Sequence, residues 1–223
     1  MKEMNTADFH SNVRDWVSKR PVTSSLAVFL LLWYLFELLV LHTYGAQIAE
    51  AWFYWSKPTT FPPQPALNEV LLAPISHDLY TPTHIVGNLA GLLVVGGYAE
   101  PRIGSSDVAT LVIGVNYLGI VVANYTAFLH KNWMLAGISG GLLALTAYTG
   151  LHTRHQFREL LEHGADVRET IRSKPVRERF IGGVLFLSIP GLLFLEPLLL
   201  GVNSGHTFGL ILGVLVYPVL SPS

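Results

Sequence analysis

The chain has 223 residues, 51% of them hydrophobic and only 13% charged, with a mean hydropathy of +0.44. That balance excludes an ordinary soluble domain and points to a polytopic membrane protein. A net charge of −1 gives nucleic acid nothing to hold, and the absence of cysteine rules out disulfides, Fe–S clusters and thiolate zinc sites, so any nucleophile is an oxygen or nitrogen group.

Residues 1–23 form a polar cytoplasmic tail of mixed charge that ends at Pro21. Phe9, Val13, Trp16 and Val17 share one helical face there, which predicts a short amphipathic helix on the membrane surface, with a frayed solvated tail as the equal alternative. The first apolar run follows some twenty polar residues and is long enough to cross a bilayer, so it is a span and not a cleavable signal. This span, Ser24 to Tyr44, carries Glu37 in its interior. A carboxylate there is costly, and a protonated or hydrogen-bonded glutamate facing the bundle is preferred to a functional one. Residues 45–80 form a long connection. Trp52-Phe53-Tyr54-Trp55 suits the headgroup region, and Pro58, Pro62, Pro63 and Pro65 forbid a continuous helix, so a partly embedded loop is expected.

The second span, Thr83 to Tyr98, places His84 and Asn88 one turn apart, with Gly87 and Gly91 as a small-residue pair beside them. Glu100, Pro101 and Arg102 close it, and Glu100 reads as a structural carboxylate bonded to the following loop. The third span, Val108 to Phe128, contains Asn116, Asn124 and Thr126. The fourth, from near Met134 to Leu151, carries Gly137-Ile138-Ser139-Gly140-Gly141. Residues 152–179 are the longest polar run, with seven Lys and Arg among five acids. His152 and His155 there have a spacing that suits a metal, but no third ligand accompanies them, so a solvated helical face and no metal is the expectation. The fifth span, Phe180 to Glu196, is kinked or softened by Pro190 and Gly191. After a short connection, the sixth runs from His206 to Leu220, with His206, Gly209 and Gly213 on one face.

Lys and Arg set the orientation. Twelve of the fourteen fall in the N-terminal tail and the 2–3 and 4–5 loops; Lys57 and Lys131 alone fall opposite. Six spans with both termini cytoplasmic follow. The starts of spans 2, 4 and 6 then share one depth on the outer side. That brings His84 and Asn88, Ser139, and His206 together from three distant stretches, and a serine with a histidine supplies a nucleophile and its base.

With these motifs in order, the sequence resembles the rhomboid intramembrane serine proteases of the compact six-helix prokaryotic kind. The resemblance covers roughly residues 24–221. It rests on His84-x-x-x-Asn88 followed by Glu100, on Gly137-Ile138-Ser139-Gly140, and on His206-x-x-Gly209-x-x-x-Gly213. His77 resembles the histidine that the family often carries in the first loop. The sequence departs from the pattern in lacking a Trp-Arg pair ahead of span 2, in carrying Leu143 where an aromatic residue is common, and in carrying Gly205 where alanine is usual.

The resemblance implies an all-α, six-helix rhomboid-like membrane domain over residues 24–221. It implies a serine endopeptidase that cleaves single-span membrane proteins near the outer membrane surface. Ser139 would be nucleophile and His206 general base, a dyad in which Asp78 and Glu196 have no motif role. His84, Asn88 and the Ser139 backbone N–H would stabilise the oxyanion. Gly137, Gly140, Gly141, Gly209 and Gly213 would pack helices near the site, and span 5 with the loop 197–204 would gate and cap it. Neither a metal nor an organic cofactor is implied. The partners are transmembrane substrates and the lipid bilayer, with no nucleic acid, in a multi-pass protein of a prokaryotic plasma membrane. The tail is not an Arg-rich, acid-poor presequence, which argues against a mitochondrial home. The alternative is a non-proteolytic rhomboid-like binder or quality-control factor, but such relatives typically lack the serine or the histidine. A small transporter using Glu37 ranks last, because other ionisable residues gather at span ends.

Overall fold

The computed structural model describes residues 6–54, 66–126, 137–164, 166–175, 178–185 and 204–220, and among these all regular structure is helical. Helix α1 (Thr6–Ser18) leaves Phe9, Val13 and Val17 exposed along one face. It is joined to the bundle through Arg20, whose Nε donates to Gly97 O at 2.6 Å while its guanidinium lies 4.9 Å from the Trp16 ring centre.

Pro21 then opens α2 (Pro21–Tyr44), a position where its missing N–H costs nothing. The orphan amides of that first turn are met from a distance. Glu100 accepts from Val22 N–H and Thr23 N–H, both at 2.8 Å, and also from the Ser105 hydroxyl at 2.7 Å. Glu100 thus bonds to the following loop, as expected, and caps α2 as well. Gly45 ends α2 at a φ of +85°, a conformation that costs glycine little.

The long connection is folded, not slack. It contains α3 (Ala46–Phe53), α4 (Leu67–Leu72) and a 3₁₀ turn (Ala73–Ile75). Phe53 and Tyr54 are buried with Leu79, against Trp33 of α2. Trp55 and the four prolines lie outside the described residues.

The second expected span is a continuous helical run: α5 (Thr83–Gly91), a π turn (Leu92–Gly96) and α6 (Gly97–Ile103). It runs through Glu100, Pro101 and Arg102, which were expected to close the span, and ends at Ile103. After Gly104 comes a second such run: α7 (Ser105–Ala109), a π turn (Thr110–Val115) and α8 (Asn116–Thr126). Helix α9 (Ser139–Glu162) starts on the serine itself and continues beyond Leu151 into the polar run. Residues 134–136 are outside the described set. Two short pieces follow: α10 (Val167–Ser173), capped by Asp166, and α11 (178–185). The last helix is α12 (Ser204–Leu220). Pro190, Gly191, Glu196 and the loop 197–203 lie outside the described residues.

Among the described residues two helical stretches, Pro21–Tyr44 and Ser105–Ala123, are long and apolar enough to cross a membrane, and His206–Leu220 is a shorter apolar helix. On α2, Val28, Leu31, Leu32, Leu35 and Leu39 point outward while Leu30, Tyr34 and Glu37 are buried. The core gathers Leu30, Leu92, Val108, Leu111, Val112, Leu142, Leu145 and Tyr148. Helix α9 runs through its middle. It lies so close to its neighbours that side chains are excluded at three glycines. A Cβ on Gly141 would collide with Val112 O, one on Gly209 with Gly140 O, and one on Gly213 would fall 2.5 Å from Ala144 O.

Candidate active site

Ser139 opens α9 and His206 lies in the first turn of α12, so the packing of these two helices sets their separation. His206 Nε2 lies 2.8 Å from Ser139 Oγ. With the imidazole neutral and its proton on Nδ1, the hydroxyl donates and Nε2 accepts. Both residues are partly buried. Gly209, one turn below His206, rests on Gly140, the residue after the serine. Close backbone approach is therefore what holds the pair within hydrogen-bond reach. Leu143 packs in the same seam with Ala147, Leu210 and Val214.

The loop ahead of Ser139 fits glycine alone. Gly137 has a φ of +110°, and a Cβ there would stand 2.6 Å from His84 Cε1 and 3.0 Å from His84 Nε2. His84 therefore borders the peptide two residues before the serine. Asn88, one turn on, is 5% exposed, and its Nδ2 has no partner among the described residues. A buried amide donor without an acceptor is expensive unless something arrives to accept from it. The starting turn of α9 adds further donors. By position the amides of Ser139 and Gly140 have no intrahelical acceptor. An anion beside Ser139 would meet them together with the positive end of the helix.

Asn116 holds this loop in place. Its Nδ2 donates to Pro74 O at 2.7 Å and to Gly137 O at 3.2 Å, while its Oδ1 accepts from Gly141 N–H at 3.0 Å. Gly137 N–H in turn donates to Ala73 O at 2.8 Å. The residue stands out in the sequence only as a polar group within an apolar stretch, and its part in the site is a finding of the structure. The turn leading into α5 is built on Asp78, which accepts from Tyr80 N–H at 2.8 Å, Thr81 Oγ1 at 2.9 Å and Thr81 N–H at 3.3 Å. Burial raises the Asp78 carboxyl, but these hydrogen bonds outweigh it and hold the group below its ordinary range. Among the remaining histidines, His155 Nδ1 lies 3.6 Å from exposed Glu159, and no group of three metal-binding side chains occurs among the described residues.

A serine hydroxyl bonded to an imidazole between two close-packed helices, with hydrogen-bond donors alongside, is an arrangement that nucleophilic catalysis can use. The model of the Rhomboid domain family matches residues 69–223, more than half of the chain, and the protein belongs to the rhomboid family. That is a family of intramembrane proteases and integral membrane proteins. No curated protein matches this sequence.

Proposed function

We propose that the protein is an intramembrane serine endopeptidase in which Ser139 attacks a peptide carbonyl and His206 is the general base. The 2.8 Å contact between His206 Nε2 and Ser139 Oγ carries this reading. His206 takes the serine proton during attack and returns it to the leaving amine. Water, deprotonated by the same imidazole, then releases the acyl group. His84, Asn88 and the Ser139 backbone N–H donate to the oxyanion. The unpartnered Asn88 amide and the closeness of His84 to Gly137 support that assignment. Loss of one such donor costs about 10² to 10³ in rate.

The chain crosses the membrane six times with both termini cytoplasmic, in accord with the distribution of Lys and Arg. Substrates are single-span membrane proteins whose helices unwind near the outer surface, since a helical backbone keeps its carbonyls occupied. Small substrate residues suit a site bordered by Gly137 and Gly140. A multi-pass place in the plasma membrane of a prokaryotic cell goes with this reading.

Purified protein in liposomes, given a tagged single-span substrate, tests it. Wild type is expected to cleave, and Ser139→Ala and His206→Ala to be inactive with unchanged melting. Undiminished cleavage by Ser139→Ala refutes the mechanism. Should wild type leave the substrate intact, failure of a fluorophosphonate to label Ser139 would favour a non-proteolytic binder.

A further inference from the structure

Glu37 is the sole carboxylate of α2, and its side chain and that of His77 are both fully buried. Glu37 Oε1 accepts from His77 N–H at 3.2 Å, and Oε2 lies 3.8 Å from His77 Nδ1. The carbonyl of the same residue is also held. The Tyr54 hydroxyl donates to His77 O at 3.2 Å and accepts from Leu79 N–H at 2.8 Å. Trp33 Nε1 donates to Ser76 Oγ at 3.4 Å.

The His77 ring, set edge-on to Tyr34, lies 5.6 Å from the His84 ring. His84 and Ser76 O both border Gly137, two residues before Ser139. A physical chain therefore runs from Glu37 through the backbone and ring of His77 to His84 and the loop that presents the serine. A carboxylate is an expensive group to place inside a span, and a merely space-filling residue at position 37 would be apolar.

We propose that Glu37 is a positioning residue for the oxyanion side of the site. Through the hydrogen bond that its Oε1 accepts from His77 N–H it seats His77 behind His84, and so fixes where His84 stands relative to Gly137. The proposal rests on the protease reading above and adds to it a residue outside the dyad and its donors.

Three variants decide it. Glu37→Leu removes the acceptor, Glu37→Asp withdraws it by one methylene, and Glu37→Gln keeps an oxygen in its place. Cleavage kinetics and melting are read for each beside wild type and Ser139→Ala. Leu and Asp are expected to lower kcat at least ~10-fold with KM within ~2-fold, because misplacement by about 1 Å costs up to ~10² in rate. Glu37→Gln restores most of kcat. In single-turnover assays Glu37→Leu adds less than ~2-fold to the loss caused by His84→Ala, as expected of residues that act as a unit.

The proposal is overturned if Leu and Asp keep wild-type kcat, if the loss falls on melting or KM alone, or if Gln is as poor as Leu. A full further loss in the His84→Ala background overturns it as well. If Glu37→Leu does not fold, Asp and Gln still decide. Cleavage by Ser139→Ala equal to wild type sinks the protease reading itself. A normal Glu37→Leu beside an inactive Ser139→Ala sinks only the role of Glu37.

Discussion

Replacing Gly209 with alanine tests whether backbone contact between α9 and α12 sets the distance between His206 and Ser139. A Cβ at 209 collides with Gly140 O and would stand 2.7 Å from Gly140 C and 2.9 Å from its Cα. Carbon–carbon contacts settle at about 3.5–4.0 Å, so the helices must part by about 1 Å at this level. None of the obstructing atoms is a flexible side-chain end that can swing away. Gly140 is next to Ser139 and Gly209 one turn from His206, so the separation falls directly on the 2.8 Å contact between those two side chains. A misplacement of about 1 Å is expected to cost about 10² in kcat, and the overpacking about 1–3 kcal/mol in stability. Gly213→Ala meets Ala144 O at 2.5 Å, one turn further from Ser139 and His206, and should lose similar stability but less activity. Gly119→Ala, whose nearest neighbours are 3.9 Å away, should lose neither. Cleavage rate, fluorophosphonate labelling of Ser139 and melting in detergent read the series. Wild-type cleavage and labelling by Gly209→Ala would refute the reasoning.

Three other predictions follow from the same geometry. Asn116→Leu leaves buried Gly141 N–H without its acceptor and frees the loop at Gly137; a loss of ~2 kcal/mol, or about 4–8 °C in Tm, is expected, and an unchanged Tm contradicts the bracing role. Gly137→Ala combines a φ of +110° with a Cβ 2.6 Å from His84 Cε1; kcat should drop at least ~10-fold, measured against Gly87→Ala, where the added methyl meets open space. Asp78 has its carboxyl depressed on folding, so its contribution is complete above the unfolded value of 3.8 and is lost as pH falls through the lower folded one. Melting of wild type should therefore decline more steeply on acidification below about pH 4 than melting of Asp78→Asn, and equal slopes would contradict it.

The helical class and the family were legible because spans betray themselves by apolar length and the motif residues by their types. Ser139, His206, His84 and Asn88 are chemistry-bearing side chains at the starts of apolar runs, and the structure brings Ser139 to His206 and His84 to Gly137. Helix limits were less legible. Nothing in residue type marks Ser139 as the first residue of α9, because the stop before it is made by the positive φ of Gly137 and the tie of its N–H to Ala73 O. The polar run after Leu151 continues α9 because Arg, Glu, Leu and Gln all favour a helix, whether or not lipid surrounds them.

Asn116 and Glu37 were the least legible, for a single physical reason. Their partners are backbone atoms: Pro74 O, Gly137 O and Gly141 N–H for one, His77 N–H for the other. Backbone partners have no residue identity, so no pairing pattern appears in the sequence. Each polar side chain looks like an isolated cost within an apolar span. An unexplained polar residue within a span is therefore best read as a brace for irregular backbone elsewhere. In this protein both braces end on the loops that surround Ser139.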